Sequence, residues 1–165
     1  MPEAEPTLLF VYGTLRRGGG NDIARIAADA KWVRDARVRG RLYDVNGRWP
    51  ALVLDPQAGW VAGEIYAVPL HEWPALDALE DPVTPQHPDG AYFKVTTLVE
   101  GVDGNLSKVT VYTANPATTP LVRLIASGDW IDCAATLFAA SSGRTPAGAT
   151  SAASGEPRPE NFSTR

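Results

Sequence analysis

The chain has one cysteine, Cys133, two histidines and no excess of positive charge, and each scarcity removes a class of protein. A single thiol cannot close an internal disulfide, and two histidines with one thiol cannot fill a four-ligand zinc site without carboxylate help. Lys and Arg total 15 against 19 Asp and Glu, a formal charge of -4. Such a chain has no field to draw a phosphate backbone, so nucleic acid is not an expected partner. No apolar run approaches the ~20 residues that span a bilayer, so no membrane association is expected. The opening Met-Pro-Glu-Ala-Glu-Pro lacks the cationic start and apolar core of a secretory signal, and the expected location is the cytoplasm.

What remains is an ordinary globular composition, 44% hydrophobic over 165 residues, enough for one domain with a real core. Composition shifts at Ser141. From there to Arg165 the chain is almost entirely Ser, Thr, Ala, Gly, Pro and charged residues, with Phe162 its only large apolar side chain. Such a segment cannot offset its ordering entropy, so a disordered tail is expected over 141–165 and a folded domain over 7–140.

Leu8-Leu9-Phe10-Val11-Tyr12 is a short continuous apolar run, the pattern of a strand buried on both faces, and it stops at Gly13. Asn21 is placed to cap a short helix over 22–28, with Ile23, Ile26 and Ala27 on one face. Strands are expected over 32–45, 51–54, 60–68, 92–99 and 108–114, joined by Asn46-Gly47, by the turn-forming 55–59 and by Asp103-Gly104-Asn105. Leu70, Trp73, Leu76 and Leu79 recur at intervals of three, suggesting an amphipathic helix that ends at Glu80 or Asp81, with Pro74 in its first turn. Pro82, Pro85 and Pro88 predict about ten irregular residues before the next strand. A last helix is expected over 129–140, with Trp130, Ala134, Leu137 and Phe138 on its apolar side. Many strands with few helices, out of strict alternation, argue for an α+β fold with a barrel-like or strongly curved sheet.

Three stretches could carry chemistry. In the first, the buried strand delivers straight into Gly13-Thr14-Leu15-Arg16-Arg17-Gly18-Gly19-Gly20, where exposed backbone amides could hold an anion or an oxyanion. Gly13 and Gly18 have phosphate-loop spacing, but Gly19-Gly20 stands where that loop needs Lys and Ser or Thr, so nucleotide binding is rejected. The plain alternative is that Gly13 only permits a positive φ. In the second, Asp77, Glu80 and Asp81 crowd a helix C-terminus, where the dipole disfavours acids. Burial and like-charge repulsion would both raise the Glu80 pKa toward that of a general base, against the alternative of a solvated acidic helix end. In the third, alternation puts Glu64 and Tyr66 on one strand face opposite Ile65, either able to line a cavity, with ion pairing at the barrel rim the expected role of Glu64. His71 and His87 are expected at the surface and Cys133 as an inert buried thiol, and no metal site is indicated.

In order and spacing these stretches resemble the gamma-glutamylcyclotransferase-like family, which includes gamma-glutamylamine cyclotransferase and the AIG2-like proteins. Tyr12-Gly13-Thr14-Leu15 looks like its Y-G-[ST]-L loop, and Gly63-Glu64-Ile65-Tyr66 like its G-E-[VIL]-Y strand. Leu76-Asp77-Ala78-Leu79-Glu80 looks like its L-D-x-[FL]-E helix end, and Ser127-Gly128-Asp129-Trp130 like the S-G-D-W element of bacterial members. The resemblance implies a small, twisted mixed β-barrel with flanking helices and cofactor-free cyclisation of a gamma-glutamyl amide or amine to 5-oxoproline. It makes Glu80 the catalytic acid-base and assigns the small-molecule substrate to Tyr12, Gly13, Thr14, Leu15 and Tyr92. Two departures bear on the leaving group: the family's Tyr-x-Arg is here Tyr92-Phe93-Lys94, and its glycine after the acid is Asp81, followed by a longer, proline-rich loop. A non-catalytic binding protein on the same fold, or a gamma-glutamyl deprotecting lyase in a biosynthetic pathway, stays open beside the cyclotransferase.

Overall fold

The computed structural model describes residues 5–132; the expected tail, Cys133 and the expected helix beyond Asp132 lie outside that range. Contacts divide the chain after Trp130, and the fold set out here is that of the first unit. Among the described residues the strands are β1 (Thr7–Val11), β2 (Lys31–Val45), β3 (Trp49–Leu54), β4 (Trp60–Val68), β5 (Tyr92–Gly101), β6 (Leu106–Ala114) and β7 (Arg123–Leu124). The helices are α1 (Ile23–Ile26) and α2 (Trp73–Glu80).

Strands β2, β4, β1, β6 and β5 are neighbours in that order, and β5 returns to β2 through the pairs Ala36↔Gly101 and Arg37↔Glu100. The sheet therefore closes. Only β1 and β6 run parallel, which makes this a mixed five-stranded barrel of the expected α+β kind. Closure removes the open edges at which a sheet would pair with other chains. β2 is long because it changes sheets along its length: up to Arg39 it pairs with β4, and from Gly40 to Val45 it leaves the barrel to pair with β3, with β7 beside Tyr43 and Asp44.

Strand alternation sorts the core into two. Phe10 and its direct partner Ile65, with Val109 and Val111, are at most 2% exposed and fill the barrel. Leu9, Val11, Tyr66, Val68 and Tyr112 point the other way and form one apolar cluster with Ile23 and Ala27 beside α1 and with Trp73 and Leu76 of α2. Both helices thus pack near one end of β1. Only Trp73 and Leu76 of the three-residue series are buried; Leu70 is 70% exposed in a 3-10 turn (Leu70–Glu72) before α2, and Leu79 is exposed. A step of three falls roughly 60° short of a full turn, so the ends of a four-member series drift to opposite sides of a helix.

Three smaller expectations change. Asp22, not Asn21, caps α1, its carboxylate accepting from the Ala24 amide, and the helix is four residues long. Asn21 instead donates to the Thr14 hydroxyl at 3.2 Å. The proline-rich segment after α2 is not irregular throughout: Thr84 and His87 exchange backbone hydrogen bonds, and Val83 donates to the Tyr92 carbonyl.

Gly63 lies where the barrel is tightest, since a Cβ there would stand 2.4 Å from the Val11 carbonyl oxygen and 2.5 Å from the Phe10 ring. Gly63→Ala is expected to lower stability by about 1–3 kcal/mol through this overpacking. Urea unfolding with an unchanged denaturant slope checks it; a wild-type midpoint would mean that Phe10 can move aside.

Candidate active site

β1 ends at Val11 and the chain turns sharply. The turn is held by its carbonyls: Gly13 accepts from Arg16 at 3.0 Å, Thr14 from Asn21 at 2.9 Å and Leu15 from Ile23 at 3.0 Å. None of these bonds uses the amide of Gly13, Thr14 or Leu15 as donor. Gly13 is not among the positive-φ residues, so the reading that it merely permits such a backbone is overturned. Glycine is required there by close approach, because a Cβ would sit 2.5 Å from the Pro50 ring.

Glu64 fixes the next residues of the turn. It is 4% exposed, receives the Arg16 Nε at 3.1 Å and the Arg17 backbone amide at 3.0 Å, and accepts from the Tyr66 hydroxyl at 3.0 Å. Glu64 and Tyr66 share a face as alternation requires, yet neither lines the cavity described below. The other side of the Arg16 guanidinium meets Asp129 at 2.9 Å. The Gly128 carbonyl accepts from Ala62 on β4, so three of the four recognised motifs join around Arg16.

α2 brings the fourth. Among the described residues its last residue, Glu80, accepts no hydrogen bond and pairs with no cation, and burial of its carboxyl pushes the pKa up to about 7. Like-charge repulsion, expected from the sequence, is not part of the cause. Both neighbouring acids are engaged elsewhere: Asp77 with the Lys94 ammonium at 3.1 Å and the Tyr112 hydroxyl at 2.6 Å, and Asp81 with the His87 Nε2 at 2.8 Å. Asp81 closes the helix in the left-handed conformation at φ 55°, a position that favours glycine. Three tyrosine hydroxyls, Tyr12, Tyr92 and Tyr112, surround the acid, and burial is the first cause that raises the pKa of each; the Glu80 charge comes next for Tyr92, after Tyr92 for Tyr12, and after the bond to Asp77 and its charge for Tyr112. Tyr12 donates to the Tyr112 carbonyl and Tyr92 to the Pro50 carbonyl at 3.1 Å. Their hydroxyl protons are thus committed, and toward a ligand they have lone pairs to offer.

Between these parts lies a cavity of about 290 Å³, at the small end of ligand pockets. All six residues singled out in the sequence, Tyr12, Gly13, Thr14, Leu15, Glu80 and Tyr92, line it. Sequence reasoning missed Asn21, Arg48, Trp49, Pro50 and Tyr112, which line it too. Asn46-Gly47 was legible as a turn, but nothing local tells that the turn carries the next three residues to the acid. His71 and His87 are both at the surface, each on a carboxylate, Asp29 and Asp81 respectively.

The architecture is that of a small closed mixed barrel with a side cavity floored by a glycine turn and walled by a helix end. The chain belongs to the family described as gamma-glutamyl cyclotransferase, AIG2-like, whose sequence pattern matches residues 9–132. It is 40% identical over 100 residues to a protein of Halalkalibacterium halodurans that bears the name of a gamma-glutamylcyclotransferase, covering 60% of this chain and 85% of that one. It is 39% identical over 74 residues to the gamma-L-glutamyl-butirosin B gamma-glutamyl cyclotransferase of Niallia circulans, covering 44% of this chain and 45% of that one. The crystal structure of an AIG2-like protein from Mus musculus superposes with a TM-score of 0.57 at 27% identity, over 70% of this chain and 80% of that chain. No helix among the described residues is long and apolar enough to cross a membrane.

Two outcomes follow from the site's charges. Arg16→Met leaves buried Glu64 with only the exposed Arg17 guanidinium, at 3.7 Å, and should cost about 2–4 kcal/mol, part of it recovered in the double variant with Glu64→Gln; additive losses would mean that the two groups are uncoupled. Glu80 has a folded pKa above its unfolded value, so ionising it opposes folding: the penalty grows between about pH 4.5 and 7 and stays constant above. Glu80→Gln should therefore raise the melting temperature at pH 8 and gain less at pH 5. An equal gain at both values would remove burial of the charge as the cause.

Proposed function

We propose that the protein cyclises a small gamma-glutamyl amide or amine to 5-oxoproline and releases the free amine, with Glu80 as acid-base and the Gly13–Leu15 turn as anion holder. One observation carries this reading: a carboxyl with a pKa of about 7 and, among the described residues, no cationic partner shares one cavity with a turn whose hydrogen bonds to those residues leave its amides unused.

In a gamma-glutamyl amide the α-nitrogen can reach its own γ-carbonyl. Ring closure is intramolecular, so no protein nucleophile is required, and the site's work is to hold the folded rotamer, move protons and stabilise the oxyanion. Glu80 as carboxylate takes a proton from the α-ammonium. The freed nitrogen forms a bond to the γ-carbon, and the carbonyl oxygen becomes an oxyanion facing the turn amides. The bond from that carbon to the leaving nitrogen then breaks. The ring nitrogen sheds two protons in becoming a lactam N–H, and the leaving nitrogen gains two as it departs as an ammonium, so Glu80 ends as it began. An acid with a pKa near the working pH suits both halves of this exchange. The Tyr92 oxygen, its proton given to Pro50, can accept from the α-ammonium and orient it.

A second reading, removal of a gamma-glutamyl group from a larger biosynthetic product, draws on the name of the Niallia circulans relative. The cavity of about 290 Å³ favours a small free substrate.

The test is 5-oxoproline release by the purified protein from a panel of gamma-glutamyl amino acids, gamma-glutamyl amines and glutathione. We expect release from one class, kcat/KM rising with pH through about 7 to a plateau as Glu80 ionises, and a loss of roughly 10²- to 10⁴-fold in Glu80→Gln. Turnover at the wild-type rate in Glu80→Gln would take that residue out of the mechanism, and no release from any compound would sink the small-substrate reading.

A further inference from the structure

The cavity is lined by three charged side chains, Arg48, Glu80 and Asp81, and their states differ. Asp81 is engaged with His87 and Glu80 is the candidate base. Arg48 is the only cation of the lining. Its backbone amide closes the hairpin turn by donating to the Val45 carbonyl at 3.0 Å. Its guanidinium has no carboxylate, carbonyl or aromatic ring as partner among the described residues, whereas Arg16, Arg17, Arg37, Arg39, Arg41 and Arg123 each have one.

The tip that carries Arg48 is built rather than loose. Asn46 and Gly47 both take positive φ, 56° and 72°, the mirror-image turn that matches the twist of a hairpin. Buried Asp44 accepts from the Gly47 amide at 2.8 Å, and Arg123 pairs with Asp44 at 3.2 Å. On the other side Pro50 is fixed by its contact with Gly13 and by the Tyr92 hydroxyl on its carbonyl. Arg48 and Trp49 are thus held between two anchored points, both exposed and both lining the cavity. A substrate on the proposed path already has a use for the turn amides and for Glu80, through its glutamyl portion. What remains at Arg48 is a positive, forked donor set suited to a planar carboxylate, with an indole beside it to cover an adjoining side chain.

We propose that Arg48 determines specificity by binding a carboxylate on the leaving amine, so that the preferred substrates are gamma-glutamyl α-amino acids rather than gamma-glutamyl derivatives of neutral or cationic amines. The inference rests on the cyclotransferase reading above. A substrate that carries a second carboxylate into a cavity lined by two acids needs one compensating cation there, and Arg48 supplies it. A cationic amine in the same place would meet an unpaired guanidinium.

The measurement compares two substrates that differ only in charge, gamma-glutamyl-alanine and gamma-glutamyl-alaninamide, with gamma-glutamyl-putrescine as the cationic third. For the wild type kcat/KM should favour gamma-glutamyl-alanine over the amide by about tenfold or more, the worth of a charged hydrogen-bonded pair. In Arg48→Gln that ratio should fall to near one, Arg48→Lys should retain part of it, and Arg48→Glu should shift preference toward gamma-glutamyl-putrescine. A ratio that stays within twofold of wild type in Arg48→Gln and Arg48→Glu overturns the proposal, whether the absolute rates fall together or not at all. Calorimetric binding of the same two compounds to Glu80→Gln, with and without Arg48→Gln, gives the same comparison without turnover. Should the wild type release no 5-oxoproline, a charge preference that depends on Arg48 in this binding comparison would fail the catalytic reading and sustain this one; absence of the preference would fail this one alone.

Discussion

The Arg16 guanidinium, held between Glu64 of β4 and Asp129 of the turn before Trp130, is the interaction on which the arrangement of the site depends. Arg16 stands one residue after the turn that floors the cavity, and Glu64 is almost wholly buried. A buried ion pair is a weak source of net stability, because desolvation offsets much of its attraction. Its consequence here is positional. With Arg17 also bonded to Glu64 through its backbone, the turn cannot tilt without exposing an unpaired carboxylate. On the proposed reading its amides would meet a ligand already oriented, which is the condition under which amide donors contribute most to an oxyanion.

From that fixed turn the rest of the cavity is set by contact. Pro50 lies so close to Gly13 that no side chain fits between, and Tyr92 reaches across to the Pro50 carbonyl. The start of β3, the start of β5 and the end of β1 are thereby held at mutual distances given by one proline ring and one hydroxyl. α2 arrives from the outer face of the barrel, seated by Trp73 and Leu76, and its last residue faces the tyrosines. Lys94 lies over the Trp73 ring and pairs with Asp77, so the second acid of the helix end has a cation of its own.

Much of this was legible in the sequence where the signal is local. The apolar run that ends in the glycine turn, the strand over 60–68, the acid at a helix end and Ser127-Gly128-Asp129-Trp130 each carry their pattern within a dozen residues, and together, in that order, they carry the resemblance to the family. What was not legible depends on pairs distant in the chain. The register that returns β5 to β2 lies some 65 residues from its partner, and no periodicity encodes it. The exchange of partners within β2 looks like one uninterrupted strand in sequence. Asp77 and Asp81 looked repulsive toward Glu80 because their partners, Lys94 and His87, come from the following loop and strand. Gly13 could be read as a glycine kept for positive φ because the proline that excludes a side chain there is 37 positions away.

One cause serves both halves of the proposed chemistry. Apolar and aromatic walls withhold water from the Glu80 carboxyl, and this holds its pKa near neutrality, where the acid can both take and return a proton. The same withdrawal of water strengthens any interaction between the turn amides and a developing negative oxygen, since a hydrogen bond to an anion weakens in proportion to the solvent that competes for it. A site that opened to water would lose the base and the oxyanion holder together. This explains why the carboxyl is left without a cation: a paired arginine would hold the acid ionised, lower its basicity and take the space where the substrate's ammonium must stand.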